Sequence, residues 1–342
     1  MKTTDEAPRL AGGSPGVPSS PPGARWRALV APLGQQLAPF TIVFVICVVL
    51  WILTPHFLTT SNILGNLVQM SSLAIIAVGA TMVIVAAGID LSVSTVVGLA
   101  GVVSTVSIVE YGTGVPLGLL AGVAAGGLVG LVNGLLVSKL GLPAFITTLG
   151  TLSVCGGAAL LITDGKAVYG LPDGFKWLGN GTVLGIPVPI ILMLVVAFAG
   201  HFLLSRTTLG RAAYAIGGNP ETARLSGINV AAILIALYVI SGLLAGLAGI
   251  LEASRVVSGQ PTAGTNYNLN AIAAAVIGGA SLFGGEGRIV GAVVGAMILQ
   301  LIGNGSNLLN ISTFWQSVIV GVVVILAVLY DQIRHRRARK AT

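Results

Sequence analysis

Residues 63–109 read ILGNLVQMSSLAIIAVGATMVIVAAGIDLSVSTVVGLAGVVSTVSIV, with one charged side chain, Asp90. About 20 apolar residues cross the hydrocarbon of a bilayer. The stretch is therefore long enough for two crossings, Ile63 to Ala87 and Leu91 to Val109, with a break at Gly88–Asp90. Reading outward with boundaries at Pro, Gly and charged residues adds a span before them, Pro39 to Leu53. It adds Pro116 to Val137, Ala144 to Thr163 and Pro187 to Leu204 after them. Beyond a polar stretch, Ser205 to Gly227, come Val230 to Leu251, Asn270 to Phe283, Ile289 to Ile302 and Thr313 to Tyr330. The expected fold class is all-α, a polytopic integral membrane protein of about ten transmembrane helices. The eighth and ninth spans are short, so re-entrant segments or tilted half-helices also fit there.

Composition supports this class. Of the 342 residues, 55% are hydrophobic and 8% charged, against roughly 25% charged in an average soluble domain. A net charge of +7 is too thinly spread to form a nucleic-acid groove. Its distribution is informative instead. With ten spans, one side of the membrane receives Lys2, Arg9, Arg25, Arg27, Lys139, Arg206, Arg211, Arg224, Arg288, Arg334, Arg336, Arg337, Arg339 and Lys340, and the other only Lys166, Lys176 and Arg255. Basic residues concentrate on the cytoplasmic side of membrane proteins, so both termini are expected there. The expected organisation is a disordered Pro/Gly/Ser-rich cytoplasmic tail over 1–28, a transmembrane domain over 29–331, and a basic cytoplasmic tail over 332–342. Cys47 and Cys155 lie in apolar runs without metal-ligand spacing and read as packing residues.

Glycine is abundant, at 48 residues. Gly118, Gly122, Gly126, Gly130 and Gly134 recur every fourth residue, as do Gly287, Gly291 and Gly295. Such strips let helix backbones approach closely in lipid. They fit either packing within one subunit or a subunit interface.

The three histidines, His56, His201 and His335, are scattered, and no HExxH, GxSxG or Walker A motif is present. No enzymatic centre or cofactor is expected, and active transport would need a gradient or a partner ATPase. Asp90 either accepts backbone N–H bonds at the start of the third span or lines a pathway or its gate with Ser92. Asn66 and Gln69, three residues apart, share a helix face. They suit either an uncharged polyol or interhelical hydrogen bonding. With Asn270, these residues (Asn66, Gln69, Asp90, Ser92) are the candidate pathway lining. Residues 205–229, SRTTLGRAAYAIGGNPETARLSGIN, can hold a short helix outside the membrane. Asn219 or Pro220 would start it, Glu221 to Leu225 form its body and Gly227 end it. It reads as a rigid docking surface or, less specifically, as a joining loop.

At this segment the chain closely resembles the ribose-type permease subunits of bacterial ABC sugar importers, the branch serving ribose, xylose, arabinose, galactosides and the autoinducer-2 furanose. The matching stretches are AVGATMVIVAAGIDLSVS at 77–94, LPAFITTLGT at 142–151, TTLGRAAYAIGGNPETARLSGIN at 207–229, and residues 258–291. The resemblance runs from about Phe57 to Tyr330. It implies an ABC importer permease fold and a homodimer in the bacterial inner membrane. The implied partners are an external sugar-binding protein and an ATPase subunit with two nucleotide-binding cassettes. A cytoplasmic coupling helix meets the cassettes in such importers, and Gly217, Gly218, Asn219, Glu221, Arg224, Leu225 and Gly227 match it. The GIDLS signature maps onto Gly88 to Ser92, while Ser94 stands where many relatives have Gly and the Pro-rich extension before Arg25 is long. The implied cargo is a neutral monosaccharide, with a nucleoside, a branched-chain amino acid or a furanose as alternatives. An ion-coupled transporter or facilitator channel fits less well, because membrane-embedded carboxylates are scarce.

Overall fold

Where the bilayer is the solvent, every backbone polar group must be satisfied inside a segment, so crossings are helical. The computed structural model describes residues 39–341; the expected disorder of residues 1–28 lies outside them. In chain order the elements are α1 (Pro39–Leu53), α2 (Thr60–Val85), α3 (Val93–Val109), α4 (Val115–Ser138) and α5 (Ala144–Thr163), then α6 (Asp173–Asn180). A two-stranded antiparallel hairpin follows, β1 (Thr182–Val183) and β2 (Ile186–Pro187). The rest are α7 (Val188–Arg206), α8 (Thr208–Gly218), α9 (Pro220–Leu225), α10 (Val230–Arg255), α11 (Tyr267–Ile277), α12 (Ile289–Leu308) and α13 (Thr313–Ala341). Seven of these helices are long and apolar enough to cross a membrane, and α1, α3 and α11 are shorter apolar helices. Together they coincide with the ten expected spans.

Local signals set many of the ends. The Thr59 hydroxyl caps α2 by accepting the Asn62 N–H, and the Asn229 side chain caps α10 by accepting that of Ala232. Pro116 and Pro189 stand in the first turns of α4 and α7, where the missing N–H costs nothing. The last helix runs without interruption through Ala341, across the expected boundary at 331/332.

Packing is organised around α2, whose residues from Met70 through Val85 are all buried, against α10, α12, α7 and α11. The glycine strip of α4 faces inward. A Cβ on Gly126 would collide with the Gly242 carbonyl of α10, one on Gly130 with the Tyr238 carbonyl, and one on Gly134 with Ile235. Gly291 and Gly295 of α12 similarly abut the Gly278 and Ala274 carbonyls along α11. Both strips are thus contacts within one subunit. Large apolar side chains such as Leu120 and Leu128 of α4, Phe198 and Phe202 of α7, and Ile325 and Leu326 of α13 point outward, as helices in hydrocarbon require. Cys155 is buried in the largest core cluster, and Cys47 is half-buried.

Helix α6 and the hairpin lie beyond the apolar helices, as do α8 and α9. After α5, α6 stands on the end of α10: the Ser254 hydroxyl donates to the Phe175 carbonyl (2.6 Å) and accepts the Gly179 N–H (2.6 Å). In the hairpin, Leu184 and Gly185 both have positive φ (52° and 80°), as a tight two-residue turn demands. The eighth span is also shorter than expected. Helix α11 ends at Ile277, and 278–288 turns on glycines, with φ of 83° at Gly284 and 75° at Gly285. The preceding stretch is non-helical but embedded: Gly259 abuts Thr105, Pro261 abuts Gly98, and Gly264 abuts Ser94. It therefore descends along α3 for about 16 Å, at 1.5 Å per residue, before α11 continues the crossing.

Candidate functional site

The first constellation is built where α2 stops. Val85 ends the helix, Ala87 takes a left-handed φ of 58°, and the Gly88 N–H returns to the Val83 carbonyl (2.9 Å). The chain so turned re-enters the bundle. The Ile89 carbonyl accepts the Tyr238 hydroxyl of α10 (3.2 Å) and the Thr148 hydroxyl of α5 (3.3 Å). Asp90 is 3% exposed. Its Oδ1 accepts the Ser92 N–H (3.1 Å) and hydroxyl (2.6 Å), and its Oδ2 accepts the Ser241 hydroxyl (2.9 Å). Asn133 of α4 donates to the Ser92 hydroxyl (2.9 Å). Asp90 thus accepts a backbone N–H near the start of α3, but that N–H belongs to Ser92, the residue before the first helical one. Ser241 lies eleven residues into α10, so the carboxylate sits about 16 Å along that helix from its beginning. A polar group at that depth needs every one of these partners.

The second constellation is a ladder of amides between α2 and α12. Asn62 and Asn304 exchange two hydrogen bonds (2.8 and 3.2 Å). Gln300 donates to both Asn66 (3.2 Å) and Gln69 (3.1 Å). A largely apolar cavity of about 210 Å³ runs beside the ladder, lined by Cys47, Phe57, Met70, Met297 and Leu301 among others. Gln69 is exposed. Asn270 makes no bond to this group, but the α11–α12 register, Gly278 on Gly291 and Ala274 on Gly295, carries it to the height of Leu299 and Gln300. Val85 lies sixteen residues beyond Gln69, so the amide level and the C-terminal end of α2 are about 24 Å apart. The pathway candidates therefore fall into two groups: Asn66, Gln69 and Asn270 at one level, Asp90 and Ser92 near the opposite end of α2.

The third constellation is the polar segment between α7 and α10. Asn219 caps α9 by accepting the Thr222 N–H (3.0 Å), Pro220 opens it, and Gly227 ends it with a φ of 84°. Glu221 and Arg224 pair at 2.9 Å, with side chains 63% and 70% exposed. Leu225 is 80% exposed. Ahead of it, α8 was not foreseen as a helix, although Thr207 caps it in the ordinary way by accepting the Gly210 N–H (3.3 Å). Its end is pressed into the bundle: Gly217 abuts the Val85 carbonyl and the Gly285 N–H, themselves hydrogen-bonded at 2.9 Å. The Tyr214 hydroxyl donates to the Gly287 carbonyl (2.6 Å). Burial pushes that hydroxyl's pKa up, with Arg288 opposing, so it stays a donor.

Sequence reading missed the partners: Asn133, Thr148, Tyr238 and Ser241 around Asp90, and Gln300 and Asn304 on the ladder. It also missed Glu252, a buried carboxylate near the C-terminal end of α10. Glu252 pairs with Arg255 and accepts the Ser72 hydroxyl (3.3 Å) and, at 3.5 Å, that of Tyr267. The signal for that pair was the Glu/Arg spacing of three in an otherwise apolar helix.

A helical bundle with seven helices long and apolar enough to cross a membrane and three shorter apolar ones, with buried polar breaks and a capped helical pair beyond it, defines a multi-pass membrane permease. The sequence profile of the family described as branched-chain amino acid transport system / permease component matches residues 62–328, and the chain belongs to that family. It is 46% identical over 283 residues to the ribose import permease protein of Escherichia coli (strain K12), covering 82% of this chain and 88% of that one. It is 44% identical over 300 residues to the ribose import permease protein of Bacillus subtilis (strain 168), covering 87% and 93%. To the D-allose transport system permease protein of Escherichia coli (strain K12) it is 41% identical over 300 residues, covering 87% and 92%. No solved structure gives a significant match.

Proposed function

We propose that this chain is the membrane permease of an ATP-driven importer that moves a neutral monosaccharide, ribose or a close analogue, into the cell, with ATP hydrolysed by a separate subunit. The observation that carries the reading is α9, a helix capped at both ends, lying outside the spans and exposing Leu225 beside the Glu221–Arg224 pair. A joining loop needs no such element, whereas a cassette ATPase needs a rigid knob to push. Residues 217–227 are the proposed coupling segment: Gly218, Asn219, Glu221, Arg224, Leu225 and Gly227 are exposed on it, while Gly217 is buried and seats it against Val85 and Gly285.

The sugar is argued from the names of the relatives, which transport ribose and allose, and from the amides at one level, Asn66, Gln69 and Asn270. Neutral amides hydrogen-bond hydroxyl groups without requiring a charged cargo. The non-helical stretch 261–266 supports a pathway on the same side. Thr262, Thr265 and Asn266 are exposed, and irregular polar backbone at membrane depth is tolerated where it lines a water-filled cavity. Asp90 and Ser92 are enclosed by protein, which favours a positioning role over contact with cargo. The family description names branched-chain amino acids, but Asn66, Gln69 and Asn270 carry no charges with which to hold a zwitterion.

A second copy of this chain is the proposed partner of α5, where Gly150 and Gly157 have nothing within 4 Å and Ser153 is exposed beside them. An external binding protein would dock over α6 and the hairpin, where Trp177 and Leu184 are exposed, and lipid would cover the outward apolar faces. The basic-residue asymmetry supports a bacterial inner-membrane setting with both termini cytoplasmic, with 29–331 as the permease body. The test is Glu221→Arg in the importer reconstituted with its ATPase and binding protein. The exposed pair contributes only a few tenths of a kcal/mol to folding, so the variant should fold normally yet lose sugar-stimulated ATP hydrolysis and co-purification with the ATPase. Wild-type values for both would remove the coupling role from α9.

A further inference from the structure

The short connector 86–92 is gripped at both ends by different parts of the molecule. At its beginning, the Val85 carbonyl holds the Gly285 N–H (2.9 Å) and lies against Gly217 of α8, and Gly284 lies against Ala87. At its end, Ile89, Asp90 and Ser92 are bonded to α5, α10 and α4. Asn133 donates to the Ser92 hydroxyl, which donates to Asp90, and Ser241 donates to Asp90 from the other side. Residue 90 is the common partner of Ser92 and Ser241, one carboxyl oxygen to each.

We infer that Asp90 is a positioning residue: it clamps the connector to α4 and α10, so that displacement of α8 is delivered to those helices instead of being lost in a slack loop. The inference rests on the permease reading above. A carboxylate beside a slack connector would stabilise the fold and nothing more. A clamp in the line between α8 and the bundle also sets how many ATP molecules are consumed for each solute moved. The geometry further specifies which replacements matter. In Asp90→Asn the amide oxygen still accepts from Ser92 and the amide nitrogen can donate to a rotated Ser241 hydroxyl, so the clamp holds. In Asp90→Ala all three bonds to the carboxylate are lost, and in Ser241→Ala the α10 bond alone is lost.

The experiment uses the complete importer in proteoliposomes with ribose as the probe, and reads ATP hydrolysed per ribose accumulated alongside the yield of folded permease. Asp90→Ala and Ser241→Ala should raise that ratio at least threefold, and Asp90→Asn should leave it within a factor of two of wild type. A merely structural role would lower yield and leave the ratio unchanged. If Asp90→Ala does not fold, Ser241→Ala decides, and a wild-type ratio in it overturns the inference. Asp90→Asn slowing uptake at a constant ratio overturns it as well, because that is the signature of a cargo contact. Wild-type proteoliposomes that hydrolyse ATP without accumulating ribose, or other monosaccharides offered in its place, would count against the permease reading itself.

Discussion

Two adjacent glycines at the end of α8 allow the docking of α8 against the bundle to be tested with single methyl groups. A Cβ at Gly217 would fall within 3.0 Å of both the Val85 carbonyl oxygen and the Gly285 nitrogen. Both are backbone atoms and are bonded to each other, so neither can swing aside as a side-chain tip would. Relief requires α8 to retreat by roughly 1–2 Å, to recover the 3.5–4.0 Å of an ordinary contact. Overpacking of this kind costs about 1–3 kcal/mol, which would shift the balance between docked and undocked α8 by about 5- to 150-fold. Gly218 has nothing within 4 Å, and replacing a helical glycine by alanine there is neutral or stabilising by up to about 1 kcal/mol. In the reconstituted importer, Gly217→Ala should keep its ATPase bound but lose most of the uptake driven per ATP, while Gly218→Ala behaves as wild type. Equal behaviour of the two variants would refute the claim that α8 works through its contact with the end of α2.

Further expectations follow from the packing and the charge distribution. Gly126→Leu should abolish recovery of folded protein from detergent, because α4 and α10 touch backbone to backbone there; Gly157→Ala on the open face of α5 should be recovered normally, and size-exclusion chromatography with yield reads the difference. Single cysteines at Lys139 and Lys176, both in connections between spans, should label on opposite sides of the membrane. An impermeant thiol reagent on intact cells should reach position 176 and not 139, and the reverse pattern would invert the topology.

The apolar helices, their approximate ends and the capped helix at 220–225 were legible in the sequence because each is a local or solvent-driven property. Hydrocarbon of fixed thickness demands about 20 apolar residues, and Asn219, Pro220 and Gly227 act on backbone groups within a few residues of themselves. The helix α8 was missed because its apolar face is needed only once it lies against the bundle. The glycine strip of α4 announced a close contact without saying against what; Gly242 and Tyr238 of α10 answered that. The eighth span looked like a helix to Phe283 because apolar composition does not distinguish α11 from the glycine turns after it. Asp90 stood alone in the sequence, and its meaning depended on Ser241, 151 residues away. No periodicity records which helices become neighbours, and in lipid their outward faces are all equally apolar, so only the folded packing decided which polar groups would meet.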